Sequence, residues 1–296
     1  MNLREYLFPH DLQECLTALG AWEGRGRLVA GGTDLVANLE YGKARVEALI
    51  DISSMRDLMG FEIREQELVI RAGATHSQIS SAPDIQQLWP ALAKACGSVG
   101  SPQIRNVATL AGNVVNAQPA ADSAVALVAL GAQAEILSKN GRRLEPVEAL
   151  YRGLGQSTID SSREILAALR VPVPVEGEVN GYGRVSPRNS LCLPIVNAAV
   201  NLKTKAGRIV SGRIAMGPVS DRPFRPAKAE AALQGMGLQD REALNEIGRI
   251  AAEESNPRDS CLRGCSDYRR QLLRVLVRTL LEDAAARAAG GGLEGS

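Results

Sequence analysis

The chain has 296 residues, 45% of them apolar, enough for a sizeable hydrophobic core and for two domains. Its 34 lysines and arginines nearly balance 33 acidic residues, and aromatics make up 3%, so neither a charge-driven nucleic-acid or membrane partner nor a base-stacking surface is expected. Five cysteines (Cys15, Cys96, Cys192, Cys261, Cys265) are odd in number and scattered, the N-terminus shows no signal-peptide pattern, and no apolar run approaches the roughly 18 to 20 residues that cross a bilayer; a soluble protein of the reducing cytoplasm is expected.

Residues 27–30 form a short apolar run that breaks at Gly31-Gly32, and Thr33-Asp34 then opens a segment with apolar positions at 35, 36 and 39: strand, glycine turn, helix. Residues 46–52 and 68–72 read as strands, and 79–96 as mostly helical with a start signal at Pro90. Residues 97–112, rich in glycine, serine, proline and asparagine, read as an irregular loop. A helix over 122–130 and a strand over 132–137 follow, the latter reaching a turn at Asn140-Gly141. Residues 164–171 are a further strand, and 172–181, with two prolines and two glycines, the expected linker. Beyond it the pattern predicts strands over 183–186, 195–203 and 208–216, a turn at Lys205-Ala-Gly207, and helices over 227–233, 240–254 and 266–286. The last helix carries Leu272, Leu273, Leu276, Val277 and Leu280 at helical spacing, with arginines between them. Residues 288–296, ending Gly-Gly-Gly-Leu-Glu-Gly-Ser, read as a tail.

Two segments carry chemistry. In Val29-Ala30-Gly31-Gly32-Thr33-Asp34, adjacent glycines leave backbone amides unshielded before a helix start, which suits a phosphate oxygen; an ordinary turn capped by Thr33 accounts for the same residues. In the segment from Gln103 to Asp122, small residues interleave with Arg105, Asn106, Thr109, Asn113, Asn116 and Asp122, a composition suited either to a backbone that hugs a large polar ligand or to a loop that satisfies its own backbone. Neither GxGxxG nor a Walker loop occurs.

The pair AGGTDL and QIRNVATLAGNVVNAQPAADS, in this order, resembles the FAD-binding subunits of molybdenum hydroxylases, the flavoproteins of xanthine and carbon monoxide dehydrogenases. After the linker, GYGRVSPRNSLCLPIVNAAV, AMGPVSDRPFRPAKAE and CLRGCSDYRRQLLRVLVRTLLEDA resemble that family's C-terminal domain, so the resemblance covers nearly the whole chain. It implies an α+β fold: an FAD-binding domain of the vanillyl-alcohol-oxidase type over 1–174, with subdomains of about 1–55 and 56–174, and a C-terminal domain over 178–287 with a three-stranded antiparallel sheet covered by helices.

The resemblance also implies roles. Val29, Ala30, Gly31, Gly32, Thr33 and Asp34 would hold the FAD pyrophosphate through main-chain N–H groups, with Thr109, Gly112 and Asn113 closing over the same phosphates. Asp122 would hydrogen-bond hydroxyls of the dinucleotide, Val99 would lie at the adenine or its ribose, and Ile165 and Leu166 would be apolar contacts. Arg184 falls where relatives have a basic residue near the isoalloxazine, and Leu193 where they cover a ring face. Cys192 stands at a place commonly aspartate and Leu193 where some relatives use tyrosine, departures that bear on flavin potential and acceptor access.

Molybdopterin and [2Fe–2S] clusters are then expected on partner subunits, a large and a small one, with FAD passing electrons to NAD⁺, quinone or oxygen. Only His10 and His76 are present and no C-x-x-C occurs, so no metal is expected on this chain; the extra cluster insertion of the 4-hydroxybenzoyl-CoA reductase branch is absent between Leu110 and Ile165. Competing readings are a stand-alone flavin reductase and an assembly or scaffold protein that kept the fold without FAD.

Overall fold

A computed structural model describes residues 3–290, so residues 291–296 of the expected tail lie outside the described residues. The chain is mixed α+β and packs as two compact units, each drawn from separate stretches of sequence. One comprises the residues up to Ile79 with Ser101–Gln118 and Ala132–Pro172; the other comprises Ser80–Gly100, Pro119–Gly131 and the residues from Val173 onward.

The first unit opens with a three-stranded parallel sheet whose central strand, Ala48–Asp51, is flanked by Glu5–Leu7 and Gly26–Val29. Parallel neighbours need crossovers, and the helices Leu12–Ala21 and Leu35–Glu40 supply them. The first of these has a reciprocal cap: Glu14 N–H donates to Asp11 Oδ1 (2.7 Å) while the Glu14 carboxylate accepts from His10 N–H (2.7 Å). In register, Val29 lies opposite Asp51, so the chain leaves the sheet at its carboxyl edge directly into Ala30-Gly31-Gly32.

A five-stranded antiparallel sheet completes this unit, in the order Phe61–Ile63, Glu67–Arg71, Glu164–Pro172, Gln133–Ser138, Gly141–Pro146. The expected turn at Asn140-Gly141 joins the last two, with Gly141 at φ +122°. The middle strand is buried from Ile165 to Leu169, and its register shifts between Leu166 and Ala168. The segment read as an irregular loop contains two short helices. Pro102–Arg105 is capped by Ser101, and Leu110–Val115 by Thr109, whose Oγ1 accepts from Gly112 N–H (3.0 Å). Four and six residues are too few to show a helical period, so composition alone misleads there.

The second unit is built on the antiparallel sheet Glu178–Val185, Val196–Lys205, Arg208–Gly217, in that spatial order. Ala206 (φ +50°) and Gly207 (φ +74°) make the two-residue turn of the second hairpin. Alternation along Val196–Lys205 sends Val196, Ala198, Val200 and Leu202 into a core with Leu273, Val277, Leu280 and Leu281 of the long helix Ser266–Ala288. The opposite face of the sheet packs against helices Pro90–Gly97 and Asp122–Ala129.

The first strand of this sheet begins at Glu178 and includes Gly181, so the irregular stretch is shorter than the linker expected over 172–181. Its glycines are a packing device: a Cβ at Gly183 would come within 2.9 Å of Leu276 Cδ1. Three helices, His76–Ser81, Pro83–Leu88 and Pro90–Gly97, replace the one read over 79–96, because each proline starts a new helix. The last helix runs on to Ala288, into the stretch read as tail. Arg269, one of the arginines near its leucines, is buried, its guanidinium donating to the carbonyls of Arg258 (2.7 Å), Ile195 (3.3 Å) and Pro218.

Candidate functional site

In the first unit the two segments singled out from sequence meet. A Cβ on Gly31 would lie 2.2 Å from the Val107 carbonyl oxygen and 3.0 Å from Ala108 Cα, so this bend touches the second segment backbone to backbone, a contact open only to glycine. Gly32 follows at φ +66°, which re-aims the chain into helix Leu35–Glu40. Its cap position is Asp34, whose side chain makes no capping hydrogen bond. Among the described residues, no carbonyl or side chain accepts from the backbone N–H groups of Gly31, Gly32, Thr33 or Asp34. Four successive open donors form a cradle for an anion. Solvent reaches Asp34, yet partial burial pushes its carboxyl pKa up, which lowers the cost of a neutral acid beside such an anion.

The second segment is clamped from behind. His76 N–H donates to the Ala108 carbonyl (3.1 Å) and Leu110 N–H to the Ala74 carbonyl (3.0 Å), with Thr75 and Thr109 bridged between them. Thr109 is buried, Gly112 exposed and Asn113 half-buried, with Asn113 N–H donating to the Thr109 carbonyl (3.1 Å). Helix Leu110–Val115 packs on strand Glu164–Pro172, in which Ile165 is fully enclosed and Leu166 nearly so.

His76, which carries no signal in the sequence, is fully enclosed, and among the described residues neither ring nitrogen has a hydrogen-bond partner. Burial, reinforced by the Arg105 charge, pushes its pKa down to about 4. With the folded value below the unfolded one, the stability that depends on a neutral imidazole is complete above about pH 6.5 and is lost as pH falls toward the folded pKa, where the unfolded chain alone takes up the proton. The expected loss is about 3 kcal/mol between those limits. Urea unfolding of the wild type and of His76→Gln near pH 7 and near pH 4.5 checks this: the variant should lose roughly one proton's worth of pH slope, and equal slopes would refute it.

In the second unit, Asp122, Arg184 and the chain around Val99 and Cys192-Leu193 share one network. Asp122, the first residue of helix Asp122–Ala129, is 5% exposed. Its Oδ2 accepts from Arg184 Nη1 (2.8 Å), and its Oδ1 accepts from Asn197 Nδ2 (2.9 Å) and from the Tyr182 hydroxyl. Burial raises the Asp122 pKa, opposed by the Arg184 charge and by hydrogen bonds from Tyr182 and Asn197. The guanidinium of Arg184 also donates to the Ser98 carbonyl (2.9 Å) and the Cys192 carbonyl (2.6 Å). Val99 is half-buried next to Ser98, and Leu193 is 59% exposed. Cys192 is half-buried and its thiol donates to the Arg188 carbonyl (3.0 Å).

Tyr182 and Asn197 are the members of this network that sequence reasoning did not find. Tyr182 alternates with Gly181 and Gly183 so as to share a sheet face with Arg184, and Asn197 is Arg184's partner across the ladder. Polar residues alternating with a buried apolar set, as in Val196-Asn-Ala-Ala-Val-Asn, were the available signal. Among the described residues no group of His, Cys, Asp and Glu could hold a metal ion, and no helix is long and apolar enough to cross a membrane.

Comparison with known proteins agrees with these features. Residues 2–174 match the family described as FAD binding domain in molybdopterin dehydrogenase, and residues 182–284 match the CO dehydrogenase flavoprotein C-terminal domain. The chain is 29% identical over 273 residues to the xanthine dehydrogenase FAD-binding subunit of Escherichia coli O157:H7, covering 91% of this chain and 92% of the relative. It is 27% identical over 285 residues to the carbon monoxide dehydrogenase medium chain of Hydrogenophaga pseudoflava, covering 96% and 98%. Among solved structures, a chain of the cyanide-inactivated Cu,Mo-CO dehydrogenase superposes with a TM-score of 0.89 at 27% identity, covering 97% of this chain and 100% of that one. A chain of quinoline 2-oxidoreductase from Pseudomonas putida 86 does so with a TM-score of 0.88 at 25% identity, covering 96% and 97%. Matched along more than half its length by the first of these families, the chain belongs to the FAD-binding medium subunits of the molybdenum hydroxylases, the oxidoreductase family of the xanthine and carbon monoxide dehydrogenases.

Proposed function

We propose that this chain is the electron-transfer subunit of a complex with a molybdopterin-bearing large subunit and a small [2Fe–2S] subunit, and that Val29 to Asp34 with Thr109, Gly112 and Asn113 hold the FAD pyrophosphate. The supporting observation is the run of four unpartnered N–H groups at Gly31, Gly32, Thr33 and Asp34, set against the backbone of Val107 and Ala108. Hydrogen bonds from neutral donors to an anion are roughly twice as strong as neutral ones, and donors fixed by the fold need no reorganisation to make them. Bound FAD would accept electrons singly from the iron–sulfur clusters and deliver them, singly or as a pair, to NAD⁺, quinone or oxygen. The chain's own work is to bind and orient, so no side chain serves as acid, base or nucleophile. Thr109 keeps the second bend in shape through its cap, strand Glu164–Pro172, which carries Ile165 and Leu166, packs on the helix it caps, and the roles that the resemblance implies for Val99, Asp122 and Leu193 are part of the proposal.

Domain limits at 1–174 and 178–287 go with this reading, supported by the spans of the two families. So does a cytoplasmic location, supported by free thiols at all five cysteines. Purified protein should show the visible absorption of bound flavin, or acquire it when FAD is added. Thr109→Val, which removes the acceptor for Gly112 N–H, should weaken FAD binding about fivefold to thirtyfold, the equivalent of a lost cap. Wild-type protein that stays colourless with excess FAD would refute the reading.

A further inference from the structure

A guanidinium carries five N–H donors, and the four on the Nη atoms of Arg184 are committed. Nη1 donates to the Ser98 carbonyl (2.9 Å) and to Asp122 Oδ2 (2.8 Å). Nη2 donates to the Cys192 carbonyl (2.6 Å) and reaches its Sγ (3.6 Å), while Nε is buried with no partner. The Arg184 side chain is 13% exposed and that of Asp122 6%. Such a cation presents no free Nη donor to a cofactor; its one N–H without a partner among the described residues, on Nε, is enclosed. What it does instead is join three pieces of chain: the end of helix Pro90–Gly97, the start of helix Asp122–Ala129, and the loop over residues 186–195.

That loop is also tied from within: the Ser186 hydroxyl and the Cys192 thiol donate to the Arg188 carbonyl (2.9 and 3.0 Å), and Arg188 Nη2 donates to the Leu191 carbonyl. Arg188, Asn189, Ser190, Leu191 and Leu193 are exposed. Leu191 has φ +54°, a conformation that a leucine rarely adopts and that persists only where the surroundings impose it. The contacts that tie the loop to the rest of the unit run to the same place Arg184 grips: Leu191 N–H and the Ser190 hydroxyl both donate to the Gly100 carbonyl (3.3 and 3.5 Å), two residues beyond Ser98.

We infer that Arg184 is a positioning residue, a staple that fixes the 186–195 loop, and thereby Cys192 and Leu193, against Ser98-Val99-Gly100, with Asp122, Tyr182 and Asn197 as the buried seat that aims its guanidinium. The consequence for the flavin rests on the proposed placement of Leu193 at a ring face. Arg184 then influences the flavin through the loop it holds and not by a hydrogen bond of its own.

Trypsin tests this on the full-length protein, since the bond after Arg188 lies in the exposed loop. The wild type should be nicked there slowly. Arg184→Met should be nicked about tenfold faster or more, because cleavage follows the population of the opened loop. Tyr182→Phe, which removes one bond to Asp122 and keeps its shape, should show a smaller increase and carries the test if Arg184→Met does not fold. Cleavage after the exposed Arg163 separates local loosening from unfolding and should stay constant. Wild-type nicking rates in Arg184→Met and Tyr182→Phe, or a parallel rise at Arg163, would overturn the proposal. Faster nicking with an unchanged flavin spectrum in the FAD-loaded variants supports the staple and counts against the placement of Leu193 alone.

Discussion

Asp122→Ala should destabilise the protein by about 3–5 kcal/mol, the cost of leaving one member of a buried ion pair alone. Three donors would be stranded at once: Arg184 Nη1, Asn197 Nδ2 and the Tyr182 hydroxyl, none of which solvent can reach freely. Burial already opposes the charge on Asp122, and its pKa is raised despite three hydrogen bonds, so the carboxylate is retained for what it holds rather than for net attraction. A double-mutant cycle separates these effects. Asp122→Ala combined with Arg184→Met should cost clearly less than the sum of the single changes, because the second substitution removes the orphaned charge. Equilibrium denaturation of the four proteins measures it, and strict additivity would show that the two groups do not act as a pair.

Gly31→Val should abolish FAD retention while leaving most of the fold in place. The first atom of any side chain there meets the Val107 carbonyl at 2.2 Å, and neither that carbonyl nor Ala108 can yield without moving the helix that Thr109 caps. Overpacking of this kind costs about 1–3 kcal/mol, which a chain of this size survives, but it parts the two bends. Gly42 is the matched control. It has φ +69° and open space about it, so Gly42→Ala should lose some stability to backbone strain and no FAD. Flavin-to-protein ratio after purification, with melting temperature alongside, decides the matter; a yellow Gly31→Val protein would refute the assignment of the cradle.

How far the sequence foretells this site follows from the distance between cooperating residues. Gly31-Gly32, Asn140-Gly141 and Ala206-Gly207 are legible because a turn is a local decision, dictated by which residues tolerate positive φ. The C-terminal strands and helices are legible because apolar periodicity is local as well. The Asp122 network is different: Tyr182, Arg184 and Asn197 lie 60, 62 and 75 residues away, and only the ladder register brings them to one face. His76 gave no signal at all, since nothing near it in sequence announces that both its nitrogens will be enclosed. Gly181 misled because a glycine inside a strand looks like linker until Arg287 and Leu280, which occupy its empty side, are known.

The backbone contact between Gly31 and Val107 also makes the proposed phosphate grip non-local. Its formation costs loop-closure entropy that neither bend recovers alone. The helix that Thr109 caps rests in turn on strand Glu164–Pro172. A chain truncated ahead of Glu164 keeps both bends and lacks the strand behind the second, so such a product is expected not to retain a dinucleotide.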